Sequence, residues 1–247
     1  MGKDMSQILC IDTSTEACSV AVSTKDNQEI ISEYRIAPRK HAELILGQID
    51  SVLAKVQLKP EQLDAFAVTV GPGAFTGVRL GIAVAQGLAF AADLKIISVG
   101  TLETLAMTTI SPQSIEGTKI AVAIDARMGE VYWGCFQWSN NTLVSLKPNR
   151  VCSVNSIDFK ALNINKHWLF AGTGWAAQAE QFENLMGFVP DITQESLLPS
   201  AKTALLLAQK SINEAVSAEL IEPVYLRDKV AETTIERMSK KKLNLRH

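Results

Sequence analysis

The sequence predicts an α/β protein whose two lobes share one architecture and leave a cleft between them. Two observations lead to this prediction. Short β-type runs alternate with helical apolar periodicity along the chain, and a strand–turn–strand pattern near the start returns in the second half. With 247 residues, 47% of them hydrophobic, the chain can bury a core in each lobe.

Three short β-type runs open the first half, at residues 8–12, 18–23 and 29–35, and turn-forming residues separate them. This order is typical of an antiparallel meander. Apolar residues then recur at spacings of three and four from His41 to Val56, which predicts an amphipathic helix. The other elements predicted in this half are a buried strand at 65–70, a helix at 76–92, a strand at 95–99 and a helix at 101–109.

The second half repeats the opening pattern. In ILCIDTSTEACSVAV an apolar strand ends at Asp12, and in KIAVAIDARMGEVYWGCF another ends at Asp125; five turn residues and a second strand follow each. Strands at 142–151 and 167–172 and a helix at 175–184 would loosely complete the repeat. The sequence therefore predicts a duplicated fold.

Chain-breaking residues around Pro112 and Gly117 separate the two halves. We therefore expect lobes at 1–112 and 113–247, the second with a charge-rich tail that is flexible or orders only on a partner. Two lobes that face each other would direct the strand ends at Asp12-Thr13-Ser14 and at Asp125 into the cleft.

Residues 71–81, GPGAFTGVRLG, form a glycine-rich turn that leads into the second helix. No lysine follows Gly77, as a P-loop requires, and Thr76 stands where the dinucleotide-binding pattern requires its third glycine. Two interpretations stay open. The free N–H groups of the helix could bind an anion, or the turn needs glycine only for its backbone dihedral angles.

Within that helix Gly77, Gly81, Ala85 and Ala89 lie four residues apart and form a row without side-chain bulk. Glycine inside a helix costs about 0.5–1 kcal/mol relative to alanine, so the row calls for the close approach of another element. Either the chain's own sheet or preceding helix lies there, or a second protein contributes a helix pair.

Composition argues against several function classes. The formal net charge is −2 and no basic face stands out, so stand-alone nucleic-acid binding is not expected. The four cysteines form no C-x-x-C pair, which favours a reducing, cytoplasmic compartment. The longest apolar stretch, residues 81–92, is shorter than a membrane span requires, so no membrane partner is expected.

Four segments carry a resemblance to a known family: ILCIDTSTEACSVAVS, HAELILGQIDSVL, AVTVGPGAFTGVRLGIAVAQGLAFAADLKIISVGTLETLA and AVAIDARMGEVYWGCF. They resemble the bacterial TsaB family, also called YeaZ. The resemblance implies a duplicated actin/hexokinase-like (ribonuclease H-like) fold. It also implies a role in forming N6-threonylcarbamoyladenosine on tRNAs that read codons beginning with A, as a non-catalytic paralogue and partner of the enzyme TsaD, together with the small ATPase TsaE.

The resemblance also implies an interface on the first two helices, which serves TsaD and makes a homodimer plausible in isolation, whereas tRNA is met only through the complex. The residues expected there are His41, Leu44, Ile45, Gln48, Gly77, Arg79, Gly81, Ile82 and Ala85. A charge on the small-residue row, as in Gly81→Glu, is expected to abolish docking and to leave the monomer folded.

The sequence departs from TsaD where that family carries a histidine-x-x-x-histidine metal motif. Thr101 and Leu105 stand at the two positions, and neither can replace an imidazole ligand. No catalytic residue, metal or cofactor is therefore expected. The alternative is an enzyme that acts alone, either an ATPase of the actin/hexokinase class or a peptidase.

A degenerate nucleotide cleft is the remaining expectation. Asp12, Thr13 and Ser14 match the first phosphate-loop position of the fold, and Gly172 and Gly174 lie near its adenosine-binding position. The resemblance implies that both are remnants. Turn chemistry at strand ends is the structural alternative for these residues.

Overall fold

The computed structural model describes residues 5–25 and 29–227. The Lys240-Lys241-Lys242 end of the predicted tail lies outside these residues. The strands are β1 (Ile8–Asp12), β2 (Ala17–Ser23), β3 (Ile30–Ile36), β4 (Ala65–Thr69), β5 (Ile96–Val99), β6 (Lys119–Asp125), β7 (Glu130–Ser139), β8 (Thr142–Ser153) and β9 (Leu169–Ala171). The α-helices are α1 (His41–Lys55), α2 (Phe75–Ala92), α3 (Thr101–Thr108), α4 (Phe159–Leu162), α5 (Gly174–Ala177), α6 (Ala179–Met186) and α7 (Ala201–Ala208).

The four strands of the second sheet repeat the topology of four strands of the first. The first has the order β3-β2-β1-β4-β5, with β1, β2 and β3 antiparallel and with β4 parallel to β1. The second has the order β8-β7-β6-β9, with the same antiparallel meander and with β9 parallel to β6. This repeat confirms the predicted duplicated α/β fold. Within the described residues the second sheet has no counterpart of β5.

Helices cover both faces of the first sheet, so β1 and β4 are buried throughout. On one face α1 and α2 lie side by side and pack Ile45, Ile49, Ile82 and Ala85 against side chains such as Phe66. The opposite face is covered by α7. Because α1 and α2 share one face of the sheet, their outward surfaces point to the same side of the molecule.

The space between the two sheets is filled by α3 and α7, which contact each other. The α3 residues Leu102, Leu105 and Ala106 pack against Ile120 and Val122 of β6. The other face of the second sheet carries an aromatic core, in which the rings of Trp175 and Phe182 lie 4.3 Å apart, centroid to centroid. The two lobes therefore share a continuous packed interior.

The end of the described chain returns to the first lobe. After α7 has packed on the first sheet, Val216 pairs with Ile96 in an antiparallel bridge, and the N–H of Val224 donates to the carbonyl of Val70 over 2.8 Å. We call residues 216–227 the C-terminal strap. The division into lobes at 1–112 and 113–247 stays a prediction, but α7 and residues 216–224 contact the first lobe, whereas Arg227 bonds to residues of the second.

The small-residue row of α2 faces this chain's own sheet. A Cβ atom on Gly77 would lie 2.1 Å from the carbonyl oxygen of Thr13, and one on Gly81 would lie 2.6 Å from Thr13 Oγ1. Ala85 and Ala89 are fully buried in the same layer. Of the two interpretations of the row, the structure therefore selects close packing within the chain, and Gly81→Glu would disrupt the fold itself.

This packing predicts opposite effects for two glycine-to-alanine changes in one helix. Gly77→Ala should lower the free energy of unfolding by about 1–3 kcal/mol, because the new methyl group overpacks the β1 turn. Gly87→Ala should raise it by about 0.5–1 kcal/mol, since a Cβ there meets no atom within 4 Å. Urea unfolding followed by circular dichroism measures both. Equal effects would contradict the described contact of α2 with β1.

Candidate functional site

A cleft of ≈ 450 Å³ opens between the lobes at the carboxyl ends of β1 and β6. Its lining residues are Ser14, Thr15, Glu16, Gly73, Ala74, Phe75, Ile124, Asp125, Ala126, Arg127, Tyr132, Thr173 and Ala177. The strand ends at Ser14 and Asp125 thus meet at one cleft, as the duplication predicts. Asp12 and Thr13 lie beneath its surface.

Asp12 forms its hydrogen bonds with residues of the first lobe. Its Oδ1 accepts hydrogen bonds from the N–H of Ser14 at 2.9 Å, from Ser14 Oγ at 2.7 Å and from Thr69 Oγ1 at 2.8 Å. Its Oδ2 is buried and has no hydrogen-bond partner among the described residues. Burial raises the pKa of the Asp12 carboxyl above its ordinary value, although the bonds from Ser14 and Thr69 act in the opposite direction.

The glycine-rich segment lies against the turn after β1, where the sequence predicts a remnant phosphate loop. The N–H of Ala74 donates to the carbonyl of Ser14 at 2.8 Å, and Thr13 Oγ1 donates to the carbonyl of Gly77 at 2.8 Å. A Cβ atom on Gly73 would lie 2.2 Å from the Ser14 carbonyl oxygen. The glycines are therefore needed for the close approach of the α2 start to the β1 turn.

The second lobe repeats the turn but leaves it more accessible. Asp125 Oδ1 accepts from the N–H of Arg127 at 2.9 Å, as Asp12 does from Ser14. Arg127 also pairs with Asp125, Nη1 to Oδ2 at 3.1 Å. Thr173 Oγ1 accepts from the N–H of Asp125 at 3.2 Å. The second lobe thus lines the cleft with the polar side chains of Asp125, Arg127, Tyr132 and Thr173, and Glu16 faces the cleft from the first lobe.

The two glycines predicted near an adenosine pack against the chain itself. Gly172 has φ +100°, and a Cβ atom there would lie 2.3 Å from the carbonyl oxygen of Ala123. A Cβ atom on Gly174 would lie 2.8 Å from the Ala123 carbonyl carbon. Both glycines therefore allow the turn after β9 to cross β6 closely. Neither is among the residues that line the cleft.

The side chains that stand at the metal-motif positions are part of the core. Thr101 and Leu105 are fully buried in α3. Between them, Glu103 Oε1 accepts a hydrogen bond from Asn149 Nδ2 at 2.8 Å. Across residues 5–25 and 29–227 no three His, Cys, Asp or Glu side chains form a group that could hold a metal ion.

The interface residues predicted from the resemblance lie on the expected helices but mostly on their inner faces. His41, Ile45, Gln48, Gly77, Gly81, Ile82 and Ala85 are buried in this chain, Leu44 is half-buried, and Arg79 is exposed. His41 Nε2 lies 3.2 Å from the carbonyl oxygen of Ala17, and Gln48 Nε2 donates to the carbonyl of Cys18 at 3.3 Å. The buried residues hold α1 and α2 on the sheet and are not available to a partner in this fold.

The outward faces of the same helices carry different residues. On α1, Leu46 is 58% exposed and Gly47 has open space beyond it. On α2, Phe90 is 84% exposed, and Ala83 and Gly87 lie on the same side. Sequence reasoning missed this face because it sought the small-residue row. We call these five residues the outward α1/α2 face.

Apolar composition extends over the whole of α2. By length and composition alone, with a mean hydropathy of 1.4, it is the one helix in the described part of the chain that could cross a membrane, and 33% of it is buried. In this fold Gly77, Gly81 and Ala85 tie it to its own sheet. Arg79 is its single charged residue, so its outward side is left almost free of charge.

The C-terminal strap contributes further candidate functional residues, which belong to no recognisable sequence motif. Arg79 Nε donates to the hydroxyl of Tyr225 at 2.8 Å, and the Arg79 guanidinium lies 3.6 Å from the ring centroid of Phe75. Arg227 Nη2 donates to the carbonyl of Ala126 at 3.1 Å and pairs with Glu130 Oε2 at 2.5 Å. The strap thereby reaches from the first lobe to the second, and its residues 223–227 line a smaller pocket beside the cleft, together with Gly73, Phe75 and Tyr132.

Comparisons with known proteins agree with this architecture. The model of the TsaD family, described as tRNA N6-adenosine threonylcarbamoyltransferase, matches residues 23–235. The tRNA threonylcarbamoyladenosine biosynthesis protein TsaB of Escherichia coli is 37% identical over 91% of this chain and 96% of its own length. That of Haemophilus influenzae is 39% identical over 90% and 94%.

A solved structure supports the same relationship. YeaZ from Pseudomonas aeruginosa superimposes with a TM-score of 0.78 at 38% sequence identity, over 90% of this chain and 100% of that one. Sequence relatives and structure therefore converge on one group of proteins. The chain belongs to the TsaB (YeaZ) family of tRNA threonylcarbamoyladenosine biosynthesis proteins.

Proposed function

We propose that this protein takes part in N6-threonylcarbamoyladenosine formation, on tRNAs that read codons beginning with A, as a non-catalytic subunit. In this role it docks a TsaD-type enzyme and keeps it in the active conformation, with a TsaE-type ATPase as a further partner. The tRNA is met through the complex. The names of the curated relatives support the pathway, and the surfaces of this chain support the role.

The outward α1/α2 face is the observation that carries the proposal. It combines two well-exposed apolar side chains, Leu46 and Phe90, with glycines at positions 47 and 87, where no atom of the described residues lies within 4 Å of an added Cβ. Interior helix glycines cost about 0.5–1 kcal/mol each relative to alanine, and no contact among residues 5–25 and 29–227 offsets that cost. The close approach of a partner helix to positions 47 and 87 would offset the cost.

The cleft supports a non-catalytic role. Asp12 accepts three hydrogen bonds from its own lobe, and the start of α2 lies against the backbone where phosphates would bind. A nucleotide would have to displace these contacts. The affinity for ATP should therefore be low, and Asp12 is poorly placed to orient a metal ion or water for hydrolysis.

A homodimer of the isolated chain follows from the same face. A surface with exposed apolar side chains such as Leu46 and Phe90 finds a second copy of itself when its partner is absent. The homodimer and the complex with a TsaD-type subunit would use one surface and would exclude each other. Addition of the partner should therefore convert homodimers into mixed complexes.

A charge on the outward α1/α2 face tests docking. Gly87→Glu and Phe90→Glu should abolish co-purification with a TsaD-type protein, because each buries an unpaired carboxylate in the contact. The matched control is Leu185→Glu, which makes the same change at an exposed apolar residue of α6. Circular dichroism should report unchanged folding for all three. Retained docking in both face variants, with folding intact, would remove the face from the proposal.

Nucleotide chemistry by the isolated chain provides the second test. Calorimetric titration with Mg·ATP, followed by a turnover assay on protein free of TsaD, should give no saturable hydrolysis. Asp12→Ala should leave that baseline unchanged. Saturable turnover that disappears in Asp12→Ala would instead establish an ATPase of the actin/hexokinase class and contradict the non-catalytic role.

A further inference from the structure

We infer that Arg79 is a preorganised docking point for a carboxylate of the partner protein, and that Tyr225 of the C-terminal strap is the residue that positions it. The inference rests on the proposed docking function and deepens it. It adds the strap to the docking surface and names the chemistry of the group that the partner must present.

The guanidinium of Arg79 is held from two sides. Its Cζ lies 3.6 Å from the ring centroid of Phe75 and 5.7 Å from that of Tyr225. Its Nε donates to the Tyr225 hydroxyl at 2.8 Å. Arginine side chains normally lose much rotamer freedom on binding, and stacking removes most of that cost in advance. The bond from Nε leaves the two terminal nitrogens as the donors for a ligand.

The strap holds Tyr225 in place through bonds on both sides of it. Gln86 Nε2 donates to the carbonyls of Ala218 and Ile221 at 2.9 and 3.1 Å. Val224 N–H donates to the Val70 carbonyl. Beyond Tyr225, Arg227 is bound to Glu130 in the second lobe. The tyrosine hydroxyl is therefore a fixed acceptor rather than the end of a free chain.

Arg79 differs from the other arginines near the cleft mouth. Arg127 pairs with Asp125, and Arg227 pairs with Glu130. Arg79 forms no salt bridge with a carboxylate of the described residues. Among the described residues Arg79 is thus an unneutralised cation on α2, and its charge is complementary to a single anion.

The chemistry around Arg79 favours a carboxylate on a protein surface over a nucleic-acid backbone. Phe75 and Tyr225 are 50% and 51% exposed and offer apolar surface beside the guanidinium. Aromatic residues and arginine together are typical of the points that dominate protein–protein affinity. A tRNA backbone would instead require several free cations along its path. A planar guanidinium with two free nitrogens matches one carboxylate in bidentate geometry.

The test measures the affinity of the full-length chain for a TsaD-type partner, by titration of a labelled partner. Arg79→Ala should weaken binding by about tenfold or more. Arg79→Lys should weaken it almost as much, because lysine keeps the positive charge but cannot form the bidentate contact or stack on the rings. Tyr225→Phe keeps the ring and removes the acceptor, so it should weaken binding by about three- to tenfold. The control Arg35→Ala, an exposed arginine of β3, should bind as the wild type does.

Two further readouts separate positioning from a general loss of structure. Urea unfolding should be the same for the wild type and Tyr225→Phe. The wild-type affinity should fall with added salt more steeply than that of Arg79→Ala, because the variant has lost one charge-assisted contact.

The outcomes distinguish this inference from the proposed function. If the wild type binds and the Arg79 variants bind equally well, the inference is wrong and the docking function stands. If only Tyr225→Phe behaves as the wild type, the positioning role of the strap is overturned. A wild type that binds no TsaD-type protein overturns both. Arg79 variants that keep protein affinity but lose tRNA affinity would show that the anion is a phosphate.

Discussion

The close approach of α2 to the turn after β1 is the constraint on which the rest of the structure depends. Gly73 and Gly77 allow the backbone of the helix start to touch the carbonyls of Ser14 and Thr13. This contact fixes the tilt of α2 on the sheet and turns its row of small residues inward. The same contact forms the first-lobe wall of the cleft, where Ser14, Gly73 and Ala74 lie together. It thus determines both the shape of that wall and the face of α2 that meets solvent.

The residues available to a binding partner therefore lie on the outer surface of α2 more than at the turn after β1. Asp12 Oδ1 and the hydroxyls of Thr13 and Ser14 form hydrogen bonds within the lobe, and the Asp12 carboxyl has a raised pKa because it is buried. In contrast, α2 presents exposed apolar surface, open glycine positions and one stacked arginine. This organisation supports the proposal that the protein acts by docking another protein.

Sequence reasoning predicted the local elements well and the orientation of α2 poorly. The opening strands, α1 and α2 match their predicted ranges within a few residues, because period-two and period-3.6 apolar patterns report burial directly. The small residues of α2 indicate that another element packs closely against the helix, but they do not indicate which element. Gly77 and Gly81 meet their own sheet, whereas Gly87, ten residues after Gly77, meets open space. The period of 3.6 residues places Gly87 on a different side of α2 from Gly77 and Gly81, but which side meets the sheet is a tertiary property.

Two other features lay beyond a local reading. The return of α7 and residues 216–225 to the first lobe depends on contacts between residues more than a hundred positions apart, such as the bond from Arg79 to Tyr225. The split of the predicted helix at 175–184 into α5 and α6 arises at Gln178, whose backbone leaves the helical region. Neither leaves a periodic signal, because each is determined by packing between segments that are distant in sequence.

The central claim is that the outward α1/α2 face is the docking surface, and solvent access at Phe90 tests it most directly. Hydroxyl-radical footprinting with mass spectrometry would measure the oxidation rate of Phe90 in dilute chain alone and in the presence of a TsaD-type protein. The account predicts fast oxidation alone, consistent with 84% exposure, and strong protection in the complex, with Val189 of the second lobe unchanged. A stable complex in which Phe90 is oxidised as fast as in the free chain would contradict the account.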